Sequence, residues 1–226
     1  MSSLVKIFHS PKEVFEKVNE KPNWLLPFLT VIFVTLIITA VLLPTVLEPA
    51  AVEGVQSKYG NSEEALERAM KWVSGPRFYA MSLAAVLIST PIQMLAQAGI
   101  LALFLLLLHG EIKFPKLLAV ISYSALISVL GTIVKAGISL VTKSAEVYTN
   151  LSLFLPFVEK DTFLYRLLTR VDFFTIWSLV VFGLGLSIVG RIEKKKSYIL
   201  IFSLWIALVL AGSFLGGLQA TLSRGT

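Results

Sequence analysis

Few side chains in this sequence carry the chemistry of a catalytic or binding site, and their spacing sorts them. Gln93 and Gln97 stand four residues apart in a stretch without charge, so on a helix they share one face. An amide is costly against hydrocarbon, so the pair is expected to point into a bundle rather than at lipid. Together with Tyr123 of a second apolar stretch they have two readings. They line a polar pocket or solute path, or they hold helices together through hydrogen bonds of roughly 0.6 to 2 kcal/mol each. The second reading is the favoured one. Arg191, Lys194, Lys195 and Lys196 crowd a seven-residue link, 191–197. That cluster reads first as a topology signal and second as a contact for anionic lipid headgroups.

Other candidates fail on chemistry. Glu63-Glu64-Ala65-Leu66-Glu67-Arg68 spells the Glu-Glu-x-x-x-Arg pattern of CAAX-type intramembrane proteases. That reaction needs glutamates inside the membrane and later histidines to hold a metal or activate water. Here the glutamates lie in a polar segment and His109 alone follows them, so the match is read as coincidence. The chain has no cysteine and two histidines, His9 and His109, which removes disulfides, thiolate metal sites and most imidazole chemistry. No catalytic set, metal site or cofactor site is expected. The Asn150-Leu151-Ser152 sequon matters only in a glycosylating compartment and is given no weight.

The elements that position these residues follow from composition. Apolar residues make up 56% of the 226 and charged residues 15%, against roughly 25% charged in a soluble domain. Five stretches, 22–47, 78–110, 117–134, 173–190 and 197–223, contain no Asp, Glu, Lys or Arg. About 20 apolar residues at 1.5 Å each cross a bilayer, so each stretch is long enough, or nearly so. A soluble globule, a disordered chain and a disulfide scaffold are excluded. The fold class is all-α: a polytopic membrane bundle of five transmembrane helices, about 24–47, 80–108, 117–142, 173–190 and 198–222, with short amphipathic surface helices.

Two domains are expected, a tail over 1–23 and the membrane domain over 24–222. In the tail, Ser10 is set to cap a helix with Pro11 at its first position and Glu13 as capping-box partner. Val14, Phe15 and Val18 form its apolar face, which suggests a helix lying on the membrane surface. Pro44 and Pro49 mark the exit of the first span. Asn61 with Glu64 suggests a second capping box ahead of Leu66, Met70 and Val73. Pro91 supplies a cause for a kink in the long second stretch. Lys135 is read as snorkelling alone to the interface rather than pairing with Glu48, and Asp161 as a cap for a helix over 162–171. Gly212 with Gly216, and Gly183, Gly185 and Ser187, read as close helix-packing positions.

Orientation follows from Lys and Arg density. With the N-terminus inside, the inner segments hold ten basic residues in 37 positions and the outer segments ten in 71. The basic link at 191–197 decides for a cytoplasmic N-terminus and an external C-terminus. The net charge of +6 is explained by anionic lipid and topology, and nucleic acid is not an expected partner.

Several segments in order carry a resemblance. Ser10-Pro11-Lys12-Glu13-Val14-Phe15, Gly110-Glu111-Ile112-Lys113-Phe114, Ala119-Val120-Ile121-Ser122-Tyr123-Ser124 and Asp172-Phe173-Phe174-Thr175-Ile176-Trp177-Ser178 resemble the prokaryotic branch of the Yip family. These are five-span membrane proteins named for eukaryotic relatives that interact with Ypt and Rab GTPases. The resemblance implies a five-helix membrane domain with a cytoplasmic N-terminus and, for the eukaryotic relatives, non-enzymatic work in trafficking and membrane shaping. Ser122 replaces a glycine of the eukaryotic pattern and Ile127 stands where its proline would be. The tail of about 23 residues is too short for a folded GTPase-binding domain. The expected function is a non-enzymatic integral membrane protein that organises membrane or binds a partner or lipid, in the plasma membrane of a prokaryote. Its expected partners are the bilayer, anionic lipid, and a further copy or another membrane protein. The alternative is a transporter or channel for a small solute, ion or lipid, with Gln93 and Gln97 as its site.

Overall fold

A computed structural model describes residues 2–107, 112–145, 147, 149–154 and 162–224, and the side chains of these through Gly216 except at 107, 152 and 154. Each charge-free stretch is a helix, because a chain in hydrocarbon must satisfy its own backbone hydrogen bonds. The tail forms α1 (Ser3–Lys6) and α2 (Pro11–Glu20). The apolar helices are α3 (Leu25–Leu42), α6 (Pro76–Leu107), α7 (Phe114–Thr142), α9 (Phe173–Val189) and α10 (Lys194–Arg224). Between them lie α4 (Glu48–Tyr59), α5 (Glu63–Val73) and α8 (Phe163–Leu168). Among the described residues four helices are long and apolar enough to cross a membrane, and α9 is a shorter apolar one. The result is an all-α polytopic membrane bundle.

The first span does not stop at Pro44. The chain widens into one π-helical turn, Leu43–Leu47, and continues as α4, so Leu25–Tyr59 is one helix of 35 residues. Pro44 has no N–H to give and its ring crowds the carbonyl one turn back; the wider turn accommodates both. The second apolar stretch likewise runs through Pro91 as one helix.

α7 is the centre of the bundle. Its first half, Leu117 to Ile127, is almost entirely buried, with α3 and α6 on one flank and α9 followed by α10 on the other. At the start of α10 the Ser197 hydroxyl donates to the Gly183 carbonyl at 2.7 Å, which ties α10 to the end of α9.

The tail departs from the expected surface helix. Val14, Phe15 and Val18 are buried in the bundle core, joined by Ile7. α2 packs on α7 and α9, and Lys116 donates to the Asn19 side chain at 2.8 Å. The apolar face was read correctly, but protein covers it. Neither expected capping box forms. Ser10 makes no side-chain cap, and Glu13 accepts from Lys6 at 2.8 Å instead of reaching back; that ammonium holds the Glu13 carboxyl below the usual carboxylate range. For α5 the N-cap is Ser62 rather than Asn61, without a side-chain cap, while Leu66, Met70 and Val73 do form its inward face. Thr162 caps α8, accepting from the Tyr165 N–H at 3.2 Å; Asp161 lies outside the described residues, as does His109.

α9 ends on an unusual residue. Gly190 is right-handed, Arg191 follows at φ 51°, and the Ile192 N–H reaches back to the Ser187 carbonyl at 3.2 Å. Glycine normally occupies that left-handed position, since other residues are strained there by about 1 kcal/mol. Arg191→Gly is therefore expected to stabilise the protein by about 1 kcal/mol, read as a higher midpoint in detergent thermal unfolding.

Candidate functional site

Five helices enclose a groove of about 480 Å³, within the range of small-molecule sites. α7 forms its floor through Ser124, Ser128 and Thr132. Val31 and Thr35 of α3 and Thr90, Gln93 and Gln97 of α6 make one wall; Ser178 and Phe182 of α9 with Trp205 and Leu208 of α10 make the other. α6 packs on α3 and α7, and α10 on α9 and α8; among the described residues no substantial contact joins α6 to α10, which leaves the groove open between them.

The lining is mainly apolar, and most of its hydroxyls are already satisfied along the helices. Thr35 donates to the Val31 carbonyl at 2.8 Å, Ser124 to Val120 at 2.8 Å and Thr132 to Ser128 at 3.0 Å. Ser178 donates across to the Ser124 carbonyl at 3.0 Å, joining α9 to α7. The two glutamines differ. Both are exposed toward the groove, and neither amide hydrogen-bonds to the protein among the described residues. Among the described residues they join no two helices by a hydrogen bond. The structure does not bring Tyr123 to them: it is buried on another face of α7, toward the tail, where Ser3 stands beside its hydroxyl.

An ion pair that the sequence reading missed lies one turn beyond the groove. Lys135 donates to Asp172 at 2.9 Å, and Asp172 also caps α9, accepting from the Thr175 N–H at 2.9 Å and from its hydroxyl at 3.1 Å. Lys135 thus neither snorkels alone nor meets Glu48, which accepts from Tyr79 instead. Burial pushes the Asp172 carboxyl up, but the Lys135 ammonium and the Thr175 N–H outweigh it and hold the group below the usual range. An aspartate directly before an apolar run was the available signal, since that is where a helix cap belongs.

At the other end of the bundle Arg191, Lys194, Lys195 and Lys196 are exposed, with Glu193 3.9 Å from Lys196. Glu64 and Arg68 form an exposed pair one turn apart on α5, so the Glu-Glu-x-x-x-Arg match is surface pairing on a polar helix.

Comparison with known proteins accords with this architecture. The family model described as the Yip1 domain matches residues 5–216, from α1 to α10. The chain belongs to the Yip1 domain family. This Yip1-domain chain is also 28% identical over 223 residues to "Membrane protein YknW" of Bacillus subtilis (strain 168), covering 95% of this chain and 90% of that protein. No solved structure matches it. The match takes in the tail as well as the apolar helices, in keeping with α2 being part of the bundle.

Proposed function

We propose that this Yip1-domain protein is a non-enzymatic, membrane-organising protein that binds a lipid from the side, in the groove between α6 and α10. The observation that carries this reading is the pair Gln93 and Gln97: two amides without a protein partner, halfway along an apolar helix, in a mainly apolar groove. An unpaired amide in hydrocarbon is costly, so the groove suits an occupant that is apolar along most of its length and offers polar atoms to the two side chains. The ester region and acyl chain of a lipid have that character. The basic density at 191–197 supports a cytoplasmic N-terminus and an external C-terminus in a prokaryotic plasma membrane, with Arg191, Lys194, Lys195 and Lys196 against anionic headgroups.

Mass spectrometry of protein released from lipid nanodiscs tests the reading. Wild type is expected to retain one lipid, and Gln93→Leu with Gln97→Leu to lower retention about fivefold to tenfold, as two hydrogen bonds near 0.6 kcal/mol each predict. Equal retention by the double variant would remove the proposed site. Passage of a small solute is the second reading, favoured by the opening of the groove and its two unpartnered amides; proteoliposome flux abolished by the same double variant would support it instead.

A further inference from the structure

The groove continues, along the helices that line it, toward a charged end. On α10, Ile201, Trp205 and Leu208 line the groove in one stripe, and Gly212 continues that stripe one turn, about 6 Å, further along. Gly212 has no side chain because an arginine occupies the space. A carbon added there would stand 3.1 Å from Nη2 of Arg170, 3.2 Å from its Cζ and 3.2 Å from its Nη1, so the guanidinium lies across the helix backbone. The next small residue, Gly216, has the Arg166 side chain 3.9 Å away. Gly212 thus seats Arg170, which follows the end of α8, and Gly216 faces Arg166 of α8 at ordinary contact distance; the close neighbours are side chains and not another span. Arg170 is exposed and pairs with no acidic side chain among the described residues. On α7, Ile121, Ala125, Ser128 and Thr132 line the groove, and the same stripe reaches Lys135, whose charge Asp172 already balances. Among the described residues, Arg170 thus brings to this end of the groove a charge that no acidic side chain balances, and a guanidinium can give two parallel hydrogen bonds to an oxyanion.

We propose that this end is a headgroup site for a phospholipid of net negative charge, with Arg170 holding the phosphate and the groove receiving the acyl chain. The proposal rests on the lipid-binding reading above and adds the headgroup class. The test uses the full chain in nanodiscs of equal phosphatidylglycerol and phosphatidylcholine, with the retained lipid identified by mass spectrometry. Wild type is expected to retain phosphatidylglycerol at least fivefold over phosphatidylcholine. Arg170→Gln is expected to bring the ratio near one without lowering total retained lipid, Arg170→Lys to keep part of the preference, and Gly212→Leu, which displaces the guanidinium, to match Arg170→Gln. A preference that survives Arg170→Gln overturns the headgroup proposal, and so does retention without preference in wild type; both leave lipid binding in place. No retained lipid in wild type overturns both. Inorganic phosphate binding in lipid-free micelles that depends on Arg170, without lipid preference in nanodiscs, would assign the site to a free anion and also overturn the proposal.

Discussion

Gly185→Val is expected to drive the N-terminal helix out of the bundle. A carbon added at Gly185 would stand 2.7 Å from Cζ of Phe15 and 2.8 Å from Cγ1 of Val120, closer than non-bonded carbons approach. Val120 lies in the buried half of α7 and has nowhere to go, whereas α2 is held by one small apolar face and the Lys116 contact to Asn19. The strain of overpacking, about 1 to 3 kcal/mol or more, therefore falls on the element with least to hold it. Phe15→Ala attacks the same joint from the other side and is expected to cost about 3 to 5 kcal/mol, since the ring is fully buried. Both variants should raise amide exchange across Pro11–Glu20 and open Lys12 and Lys17 to trypsin in nanodiscs, while Glu16→Ala, on the exposed face, should do neither. Wild-type protection of α2 in Gly185→Val would show that the tail is not seated on α9.

Asp172→Ala is the second large effect. It removes the cap of α9 and leaves Lys135, at the edge of an apolar helix, without its carboxylate. Loss of the cap is worth about 1 kcal/mol. The pair adds roughly 1 to 2 kcal/mol, less than a fully buried bridge because the Lys135 side chain is 36% exposed. Asp172→Asn separates the two, since asparagine still caps. The same carboxyl gives a pH dependence whose sign is fixed. Its pKa is lower in the folded protein than in the unfolded chain, so the stabilisation is complete above the unfolded value and is lost as pH falls through the folded one. Thermal unfolding in detergent from about pH 7 to about pH 3 should show wild type melting above Asp172→Asn at neutral pH and the two converging in acid. Parallel curves would rule out the ion pair as the titrating element.

What was legible in the sequence is what a single stretch of chain determines. The charge-free runs could only be helices in lipid, and the spacing of Gln93 and Gln97 put them on one face whatever the partners were. Contacts between distant elements were not legible. Lys135 and Asp172 are 37 residues apart and meet because α7 and α9 run side by side. The face Val14, Phe15 and Val18 looks the same whether it meets headgroups or protein; the clue lay in α9, where Gly185 vacates the volume that Phe15 fills. Gly212 misled for a related reason, since a small residue announces a close neighbour without naming it, and here the neighbour is a side chain. Of the expected capping-box partners, Glu13 pairs with Lys6 and Glu64 with Arg68, and the α5 box is also out of register because its N-cap is Ser62.

The unbroken passage from Leu25 to Tyr59 has a mechanical outcome. Thirty-five residues make a rod of about 52 Å, against about 30 Å of hydrocarbon, and the Tyr79 bond to Glu48 marks where α6 comes alongside it. From Glu48 the twelve residues of α4 stand as a mast about 18 Å tall, stayed by α5. A fluorophore placed at the masthead, Gly60, would ride with the tilt of the rod beneath it and report rocking of the bundle to an observer on the aqueous side.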